Sequence, residues 1–265
     1  SSPVLAGAAV AGLLAGGARV TFGGIAPTPT VAFAAREHDA GLVITASHNP
    51  EEYNGLKVFN PDGSSFGLAQ QEALEKGMGS PQGKGWECQG GMEEADLISG
   101  HRNAILDRRE VSRDLTVVLD CGNGAGSVIT PDLLTRMGIA TPPLNCNPCG
   151  HFARPSEPRE EGLGFVAEMV RAVKADCGVA HDGDADRTVF IDEKGRFLEE
   201  NREFALVASS LCGDRKGVVV APVSTSRIIE EVAARFGCSV EYTPVGSIYV
   251  ARRMMDLMAK GTPVV

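Results

Sequence analysis

Short apolar runs recur along the chain, and several of them end in a polar or glycine-rich turn that is followed by a helical pattern. Such runs span residues 41–45, 115–120 and 217–221. A strand that leads into a turn and then a helix is the repeating unit of α/β proteins. At 265 residues the chain is long enough for one large domain or for two to three smaller ones. The pattern therefore predicts an α/β fold.

The succession of predicted strands and helices divides the chain into three predicted units, residues 1–110, 111–201 and 202–265. A glycine-rich stretch without periodicity, residues 77–91, predicts a surface loop late in the first unit. The predicted strands are residues 18–22, 41–45, 56–59, 115–120, 188–191, 196–198, 217–221, 239–243 and 263–265. The predicted helices are residues 3–16, 95–109, 131–137, 164–174 and 226–236, one after residue 29, and one that ends near residue 258.

Charge and cysteine content restrict the partners of the protein. The net charge of −9 and the isoelectric point near 5.1 argue against nucleic acid, which binds basic surfaces. No apolar run has the length of a membrane helix, and no leader pattern opens the chain, so we expect no membrane partner. Seven cysteines without framework spacing are typical of a reducing compartment, which predicts a cytoplasmic protein.

The first chemical motif is TASHNP, residues 45–50, which we call the serine loop. It follows an apolar strand, and catalytic groups in open α/β sheets commonly lie at strand ends. Ser47 offers a hydroxyl nucleophile, which needs a base or a metal ion to assist it. The competing interpretation is that Ser47 and Asn49 are turn or capping residues. For His48, contact with a substrate or phosphate and a purely structural role are both open.

The second motif is DGDADR, residues 182–187, which follows a short apolar run at residues 179–180 and which we call the acidic loop. In an extended segment Asp182, Asp184 and Asp186 would point to the same side. Three carboxylates so close together repel one another unless a cation lies between them, and carboxylate oxygens are ligands that Mg²⁺ prefers. Arg187 is predicted either to form a forked contact with a phosphoryl oxygen or to pair with the aspartates of its own loop.

The acidic loop has two competing interpretations. A calcium loop from Asp182 to Glu193 has the right acidic spacing, but Arg187 stands where that loop needs glycine. An aspartyl nucleophile of the haloacid dehalogenase type at Asp184 leaves the serine loop unexplained. The pair Cys146 and Cys149 has the spacing of a metal or redox site, yet no second pair exists. Residues 122–127, a glycine-rich turn, match no phosphate-loop pattern and predict a tight strand-to-helix connection.

Together the serine loop and the acidic loop resemble the α-D-phosphohexomutases, the family of phosphoglucomutase, phosphomannomutase and phosphoglucosamine mutase. The resemblance covers nearly the whole chain. It includes PTP at residues 27–29, YNGLK at 53–57, DCGNGAG at 120–126 and TPVG at 243–246. It implies consecutive α/β/α domains, each with a mixed sheet between helices. These would be the first three domains of a phosphoglucomutase-like fold, with the third incomplete.

The resemblance also implies site residues. Ser47 would carry the phosphate and would share the binding of one Mg²⁺ with the three aspartates of the acidic loop. Lys57 would be a general acid or base, with a pKa lowered by nearby cations and partial burial, although a solvated strand lysine is the alternative. His48 and Arg187 would complete the catalytic set. Asn49, Thr243 and Gly246 would bind substrate.

The implied reaction moves a phosphate between the 1 and 6 positions of a hexose, through a hexose 1,6-bisphosphate that is both intermediate and activator. Residues 240–255 resemble glucosamine- and mannose-type members from archaea, but glucosamine, mannose and glucose phosphates all remain possible substrates. A monomer or a homodimer is expected.

Several family parts are not found in this sequence: an early segment with a glycine-flanked arginine, an acidic loop that reads sugar hydroxyls, and a fourth domain. We therefore expect this chain to bind Mg²⁺ and to carry phosphate on Ser47, but to turn over poorly. The alternative is a noncatalytic fragment that binds a phosphosugar or a metal ion.

Overall fold

Helices and strands alternate along the protein, as the apolar runs predict. The computed structural model describes residues 2–50, 52–78, 83–108 and 114–265. They form two compact units, Ser1–Phe197 and Leu198–Val265. None of the described helices has the length and apolar character needed to cross a membrane.

The first part of the larger unit supplies the serine loop. Strand β2 pairs antiparallel with β3, so that Thr45 lies opposite Gly55. This pairing brings Lys57, two residues into β3, close to the end of β2, where the serine loop begins. A small core of Ala35, Val43 and Phe59 holds these strands against a helix. The elements are α1 (Ser2–Ala15), β1 (Val20–Phe22), α2 (Thr28–Ala34), β2 (Gly41–Thr45), β3 (Gly55–Phe59), α3 (Leu68–Gly77), β4 (Met92–Glu94) and α4 (Leu97–Leu106).

The remainder of the larger unit contains a four-stranded mixed sheet. The elements are β5 (Val117–Asp120), α5 (Thr130–Arg136), β6 (Pro143–Leu144), α6 (Gly164–Val173), β7 (Cys177–His181) and β8 (Thr188–Asp192). The strand order is β6-β5-β7-β8, with β5 parallel to both neighbours and β8 antiparallel to β7. Since β5 and β7 are parallel, the glycine-rich turn after β5 and the acidic loop after β7 emerge at the same sheet edge. Helix α6 covers the sheet with the fully buried Val166 and Val170.

The smaller unit pairs two parallel strands, β9 and β10. Its elements are α7 (Glu200–Asp214), β9 (Val218–Pro222), α8 (Ile228–Arg235), β10 (Ser239–Thr243) and α9 (Ser247–Ala259). The side chains of Cys212, Ile229 and Ala233 form the centre of its core. The predicted strand at residues 263–265 is reduced to a single bridge between Val218 and Val264.

Most predicted elements are present, and β2 and β10 begin and end where the sequence predicts them. Four elements were not predicted: α3, β4, β6 and α7. The predicted helix at residues 95–109 ends at Leu106 within the described residues, and residue 109 lies outside them. The predicted loop at residues 77–91 contains a short 3₁₀ turn, Trp86–Cys88, and residues 79–82 lie outside the described residues.

Candidate functional site

The backbone of the serine loop holds Ser47 in an unusual conformation. Its φ is +53°, in the left-handed region that costs a non-glycine residue about 1 kcal/mol or more. Two hydroxyl groups fix this geometry. The Ser47 amide donates to Thr45 Oγ1 at 2.8 Å, and the Ser47 carbonyl accepts from Ser156 Oγ at 3.0 Å. His48 Nδ1 lies 3.5 Å from Ser47 Oγ, so the imidazole is adjacent to the predicted nucleophile.

The acidic loop brings its three carboxylates together by turning. One carboxylate oxygen from each of Asp182, Asp184 and Asp186 lies within 4.8 Å of the others. Asp182 and Asp184 are buried, whereas Asp186 is exposed. The expected extended segment is wrong: β7 ends at His181, and Ala185 has a φ of +54°. The carboxylates therefore converge through a tight turn rather than through strand alternation.

The glycine-rich turn, residues 122–127, packs against the acidic loop and bonds to its backbone. The Ala125 amide donates to the Gly183 carbonyl at 2.8 Å. A Cβ on Gly124 would lie 2.6 Å from the same carbonyl oxygen, so a side chain there would displace the loop. The turn is the tight strand-to-helix connection predicted from the sequence, and its glycine allows the two loops to approach closely.

The segments that carry Ser47 and the acidic loop meet through Thr28 and Lys57. Thr28 Oγ1 donates to Asp184 Oδ2 at 2.6 Å, and the Thr28 amide donates to the Asp184 carbonyl at 2.9 Å. Lys57 Nζ lies 2.8 Å from Asp184 Oδ2 and 2.7 Å from Asp186 Oδ2. The predicted lysine and the predicted aspartates therefore share one ion-pair network.

Burial and neighbouring charges shift the pKa values of the groups in this network in different directions. Burial, reinforced by the charges of Asp184 and Asp186, raises the pKa of Asp182 to about 7. Burial also acts to raise the pKa of Asp184, but hydrogen bonds from Lys57 and Thr28 outweigh it and leave that pKa below its ordinary value. For Lys57, burial acts to lower the pKa, but its bonds to Asp184 and Asp186 are stronger together and raise it. The lowered lysine pKa expected from the sequence is therefore wrong, because the neighbours of Lys57 are carboxylates rather than cations.

Two carboxylate oxygens of this network fit a metal ion. Asp182 Oδ2 and Asp184 Oδ1 are buried and accept a hydrogen bond from none of the described residues. Buried carboxylate oxygens without donors are costly unless a cation coordinates them. Three hard oxygen donors suit Mg²⁺. A contribution of Ser47 to the same ion stays a prediction.

The calcium-loop interpretation loses its support. Glu193 would have to face the aspartates, but its carboxylate lies in the turn after β8, 3.9 Å from Lys194 Nζ. Among the described residues, the group that could hold a metal ion consists of the three aspartates of the acidic loop. The thiols of Cys146 and Cys149 instead donate to the carbonyls of Leu144 and His151, at 3.2 and 3.7 Å.

The side chain of Arg187 does not form the ion pair expected with the aspartates of its own loop. Its guanidinium donates to Glu157 Oε1 at 3.0 Å, and its backbone amide donates to Asp182 Oδ1 at 3.1 Å. The predicted salt bridge to the aspartates is therefore wrong. The side chain of Arg187 is 46% exposed, and its predicted contact with a phosphoryl oxygen stays a prediction.

The predicted substrate-binding residues are divided between the two units of the chain. Asn49 is exposed, and its amide donates to the Ala46 carbonyl at 3.0 Å, in a turn. Thr243 and Gly246 belong to the smaller unit. Thr243 is buried, with its hydroxyl donating to the Pro244 carbonyl, and Gly246 has a φ of +136° just before α9. Their roles in substrate binding remain predictions.

Sequence reasoning missed the residues that support the site. Thr28 lies in the quoted PTP motif, which could have singled it out, whereas no local signal marks Ser156.

A buried ion pair that was also missed joins the strands before the two loops. Arg154 Nε lies 2.6 Å from Asp120 Oδ2, and Arg154 Nη2 donates to the His181 carbonyl at 2.6 Å. This buried ion pair ties the end of β5 to the end of β7.

Comparison with known protein families agrees with the order of these segments. Residues 1–82, 98–195 and 199–261 match the alpha/beta/alpha domains I, II and III of phosphoglucomutase/phosphomannomutase. The probable phosphoglucosamine mutase of Methanosarcina acetivorans is 44% identical over 255 residues, which are 95% of this chain and 58% of that protein. The phosphoglucomutase/phosphomannomutase of Thermococcus kodakarensis is 41% identical, over 97% of this chain and 58% of the relative.

Solved structures show the same similarity. A phosphoglucomutase/phosphomannomutase family protein from Burkholderia thailandensis superposes with a TM-score of 0.86 at 27% identity, over 98% of this chain and 58% of that one. A putative phosphomannomutase from Thermus thermophilus superposes with a TM-score of 0.76 at 25% identity, over 91% and 56%. The chain spans 58% of the length of the Methanosarcina acetivorans and Thermococcus kodakarensis relatives. With all three domain matches in order and the fold shared, the chain belongs to the phosphoglucomutase/phosphomannomutase family, the α-D-phosphohexomutases.

Proposed function

We propose that the protein is a phosphohexomutase, which interconverts hexose 1-phosphates and hexose 6-phosphates through a phosphate carried on Ser47. The observation that carries this proposal is the network in which Lys57, two residues past the start of β3, contacts the acidic loop beside the serine loop. The serine loop supplies a nucleophile, and this network adds a proton carrier and a cation site, which together are the parts that phosphoryl transfer needs.

Asp182, Asp184 and Asp186 are the residues that would hold Mg²⁺, as their convergent oxygens indicate. When bound, Mg²⁺ would neutralise negative charge on the phosphoryl oxygens and on the carboxylates that keep the pKa of Lys57 high. We propose that Ser47 also coordinates this ion.

In the proposed transfer, the bond between phosphorus and Ser47 Oγ breaks while a bond from phosphorus to a sugar hydroxyl oxygen forms. The hydroxyl proton would pass to a neutral Lys57, the form that Lys57 would take when a cation instead of its ammonium balances the charge of Asp184 and Asp186. Lys57 would then give this proton to the departing Ser47 oxygen, so protons balance. The resulting hexose 1,6-bisphosphate reorients and returns its other phosphate to Ser47 by the reverse steps. His48 and Arg187 contact the phosphoryl group in this scheme, and the fixed orientation of Ser47 supplies positioning.

The names of the relatives favour phosphates of glucosamine, mannose and glucose as substrates. Glucosamine phosphate is the first to test, followed by the mannose and glucose phosphates. Asn49, Thr243 and Gly246 are proposed sugar contacts. We also propose three domains, residues 1–110, 111–201 and 202–265, a cytoplasmic location, and a monomer or homodimer.

Peptide mass spectrometry across Ser47 tests the transfer step. The protein is incubated with Mg²⁺ and glucose 1,6-bisphosphate, alongside S47A, D184N and a control, E193Q, whose carboxylate lies outside the cluster. We expect phosphate on Ser47 in the unchanged protein and in E193Q, none in S47A, and at least tenfold slower labelling in D184N. Labelling of D184N at the control rate would contradict the role of the acidic loop. An unlabelled Ser47 in the unchanged protein would favour a noncatalytic fragment.

A further inference from the structure

One buried hydroxyl joins the serine loop to the acidic loop. Ser156 lies between β6 and α6 and is 6% exposed. Its Oγ donates to the Ser47 carbonyl at 3.0 Å and accepts from the Gly183 amide at 3.1 Å. These partners are 109 and 27 residues away along the chain. A single side chain therefore links the predicted nucleophile to the predicted metal-binding loop.

Gly183 packs so closely against Ser156 and Ser47 that it leaves no room for a side chain at position 183. A Cβ on Gly183 would lie 2.7 Å from Ser156 Oγ and 3.0 Å from the Ser47 carbonyl oxygen. The three residues thus touch at backbone distance, which only a glycine at position 183 permits. Both partners of the hydroxyl are backbone groups of the two loops.

The hydroxyl also fixes the direction of the nucleophile. Ser47 is in the left-handed region, and such a strained conformation persists only where the surrounding structure holds it in place. Thr45 holds the amide of Ser47, and Ser156 holds the carbonyl. A displacement of the acidic loop at Gly183 is therefore transmitted through Ser156 to the peptide that follows Ser47.

We propose that Ser156 is a positioning residue that couples the acidic loop to the serine loop, so that cation binding by the aspartates orders Ser47 for phosphoryl transfer. This inference rests on the proposed function. Ser156 itself contacts neither the carboxylates nor the Ser47 hydroxyl in the bonds described above, and it acts through the backbone of both loops.

Hydrogen–deuterium exchange with and without MgCl₂ tests the coupling. Peptides covering residues 180–188 report on the acidic loop, and peptides covering residues 44–50 report on the serine loop. The variants are S156A, which removes both bonds, S156T, which keeps a hydroxyl, and S210A, the same chemical change at an exposed helical serine. Thermal unfolding of each variant establishes that it is folded.

In the unchanged protein, Mg²⁺ at about 100 times its dissociation constant should slow exchange about 100-fold in the acidic loop. Two neutral hydrogen bonds can transmit about a tenfold slowing to the serine loop. In S156A we expect protection of the acidic loop alone, while S156T and S210A retain protection of both loops.

Two results would overturn the inference in distinguishable ways. Equal protection of both loops in folded S156A would refute the coupling and leave the proposed metal site intact. Absence of Mg²⁺ protection in the acidic loop of the unchanged protein would refute the metal site, and the coupling with it.

Discussion

Replacing Lys57 should strengthen cation binding while it weakens phosphoryl transfer. The Lys57 ammonium contacts Asp184 and Asp186 at 2.8 and 2.7 Å, so it neutralises the same carboxylates that would bind Mg²⁺. In K57M the methionine keeps the length of the apolar stem but removes the charge. The cation then meets a more negative cluster and has no ammonium to displace. The proton carrier of the proposed transfer is lost in the same step.

The size of the effect follows from charge and exposure. Two unit charges about 4 Å apart interact by roughly 4 kcal/mol at an effective dielectric constant near 20. The side chain of Lys57 is 31% exposed and that of Asp186 32% exposed, so solvent screening reduces this value. We expect a gain of about 1.5 to 3 kcal/mol in Mg²⁺ binding, which is roughly ten- to hundredfold in affinity.

Isothermal titration calorimetry with MgCl₂ at pH 7.5 and constant ionic strength measures this gain. The matched control is K194M, because Lys194 is 65% exposed and lies 3.9 Å from its nearest paired carboxylate, Glu193. Labelling of Ser47 by glucose 1,6-bisphosphate is measured on the same samples and should fall at least tenfold in K57M alone. Unchanged or weaker Mg²⁺ binding by K57M would refute the idea that lysine and cation share the aspartates.

Three further predictions concern the support of the site. With metal chelated, the raised pKa of Asp182 means that the folded protein binds more protons than the unfolded chain between about pH 4 and 7, so stability should fall as pH rises through this window. Thermal unfolding of D182N should lack this fall, which is at most about 4 kcal/mol, and an identical pH profile would contradict the assignment. G124A should weaken Mg²⁺ binding at least tenfold in calorimetry, because its Cβ meets a carbonyl of the acidic loop at 2.6 Å. The control G100A, in open space on α4, should stabilise the protein by about 1 kcal/mol. R154M should destabilise β5 by about 3 kcal/mol or more in native-state hydrogen exchange, because it leaves Asp120 buried without its partner, and D120N/R154M should recover part of the loss.

The positions of the chemical groups at strand ends could be predicted from sequence. Apolar runs mark β2 and β7 because strands buried in a sheet need such residues, and the polar motifs begin where these strands end. That rule brought Ser47 and the aspartates to the correct ends of their strands. The contacts between them could not be predicted, because Lys57 and Asp184 are 127 residues apart and Ser156 and Ser47 are 109 apart. No local pattern encodes which loop packs against which, and the environment of Lys57 was misjudged for this reason.

The missed helices have a different cause. Helix α7 buries Ala205, Ala208 and Cys212, which are small and give a weak apolar stripe. Helix α3 has no buried residue at all within the described part of the chain, so it has no stripe to detect. Hydrophobic periodicity finds helices that pack with large side chains, as α6 does with Val166 and Val170.

The charge balance of the site explains why a divalent cation suits it. Three carboxylates converge, and one lysine ammonium pairs with two of them, which leaves a net charge of two negative when all groups are ionised. Burial makes that charge costly, and the protein offsets part of it by raising the pKa of Asp182 to about 7, so that this carboxyl is partly protonated near neutral pH. A hexose phosphate would add further negative charge to a protein whose net charge is already −9. A divalent cation cancels the remaining charge of the cluster, whereas a single further lysine would not. The same three aspartates therefore make the cluster costly without a cation and are the basis of the Mg²⁺ affinity that we propose for phosphoryl transfer.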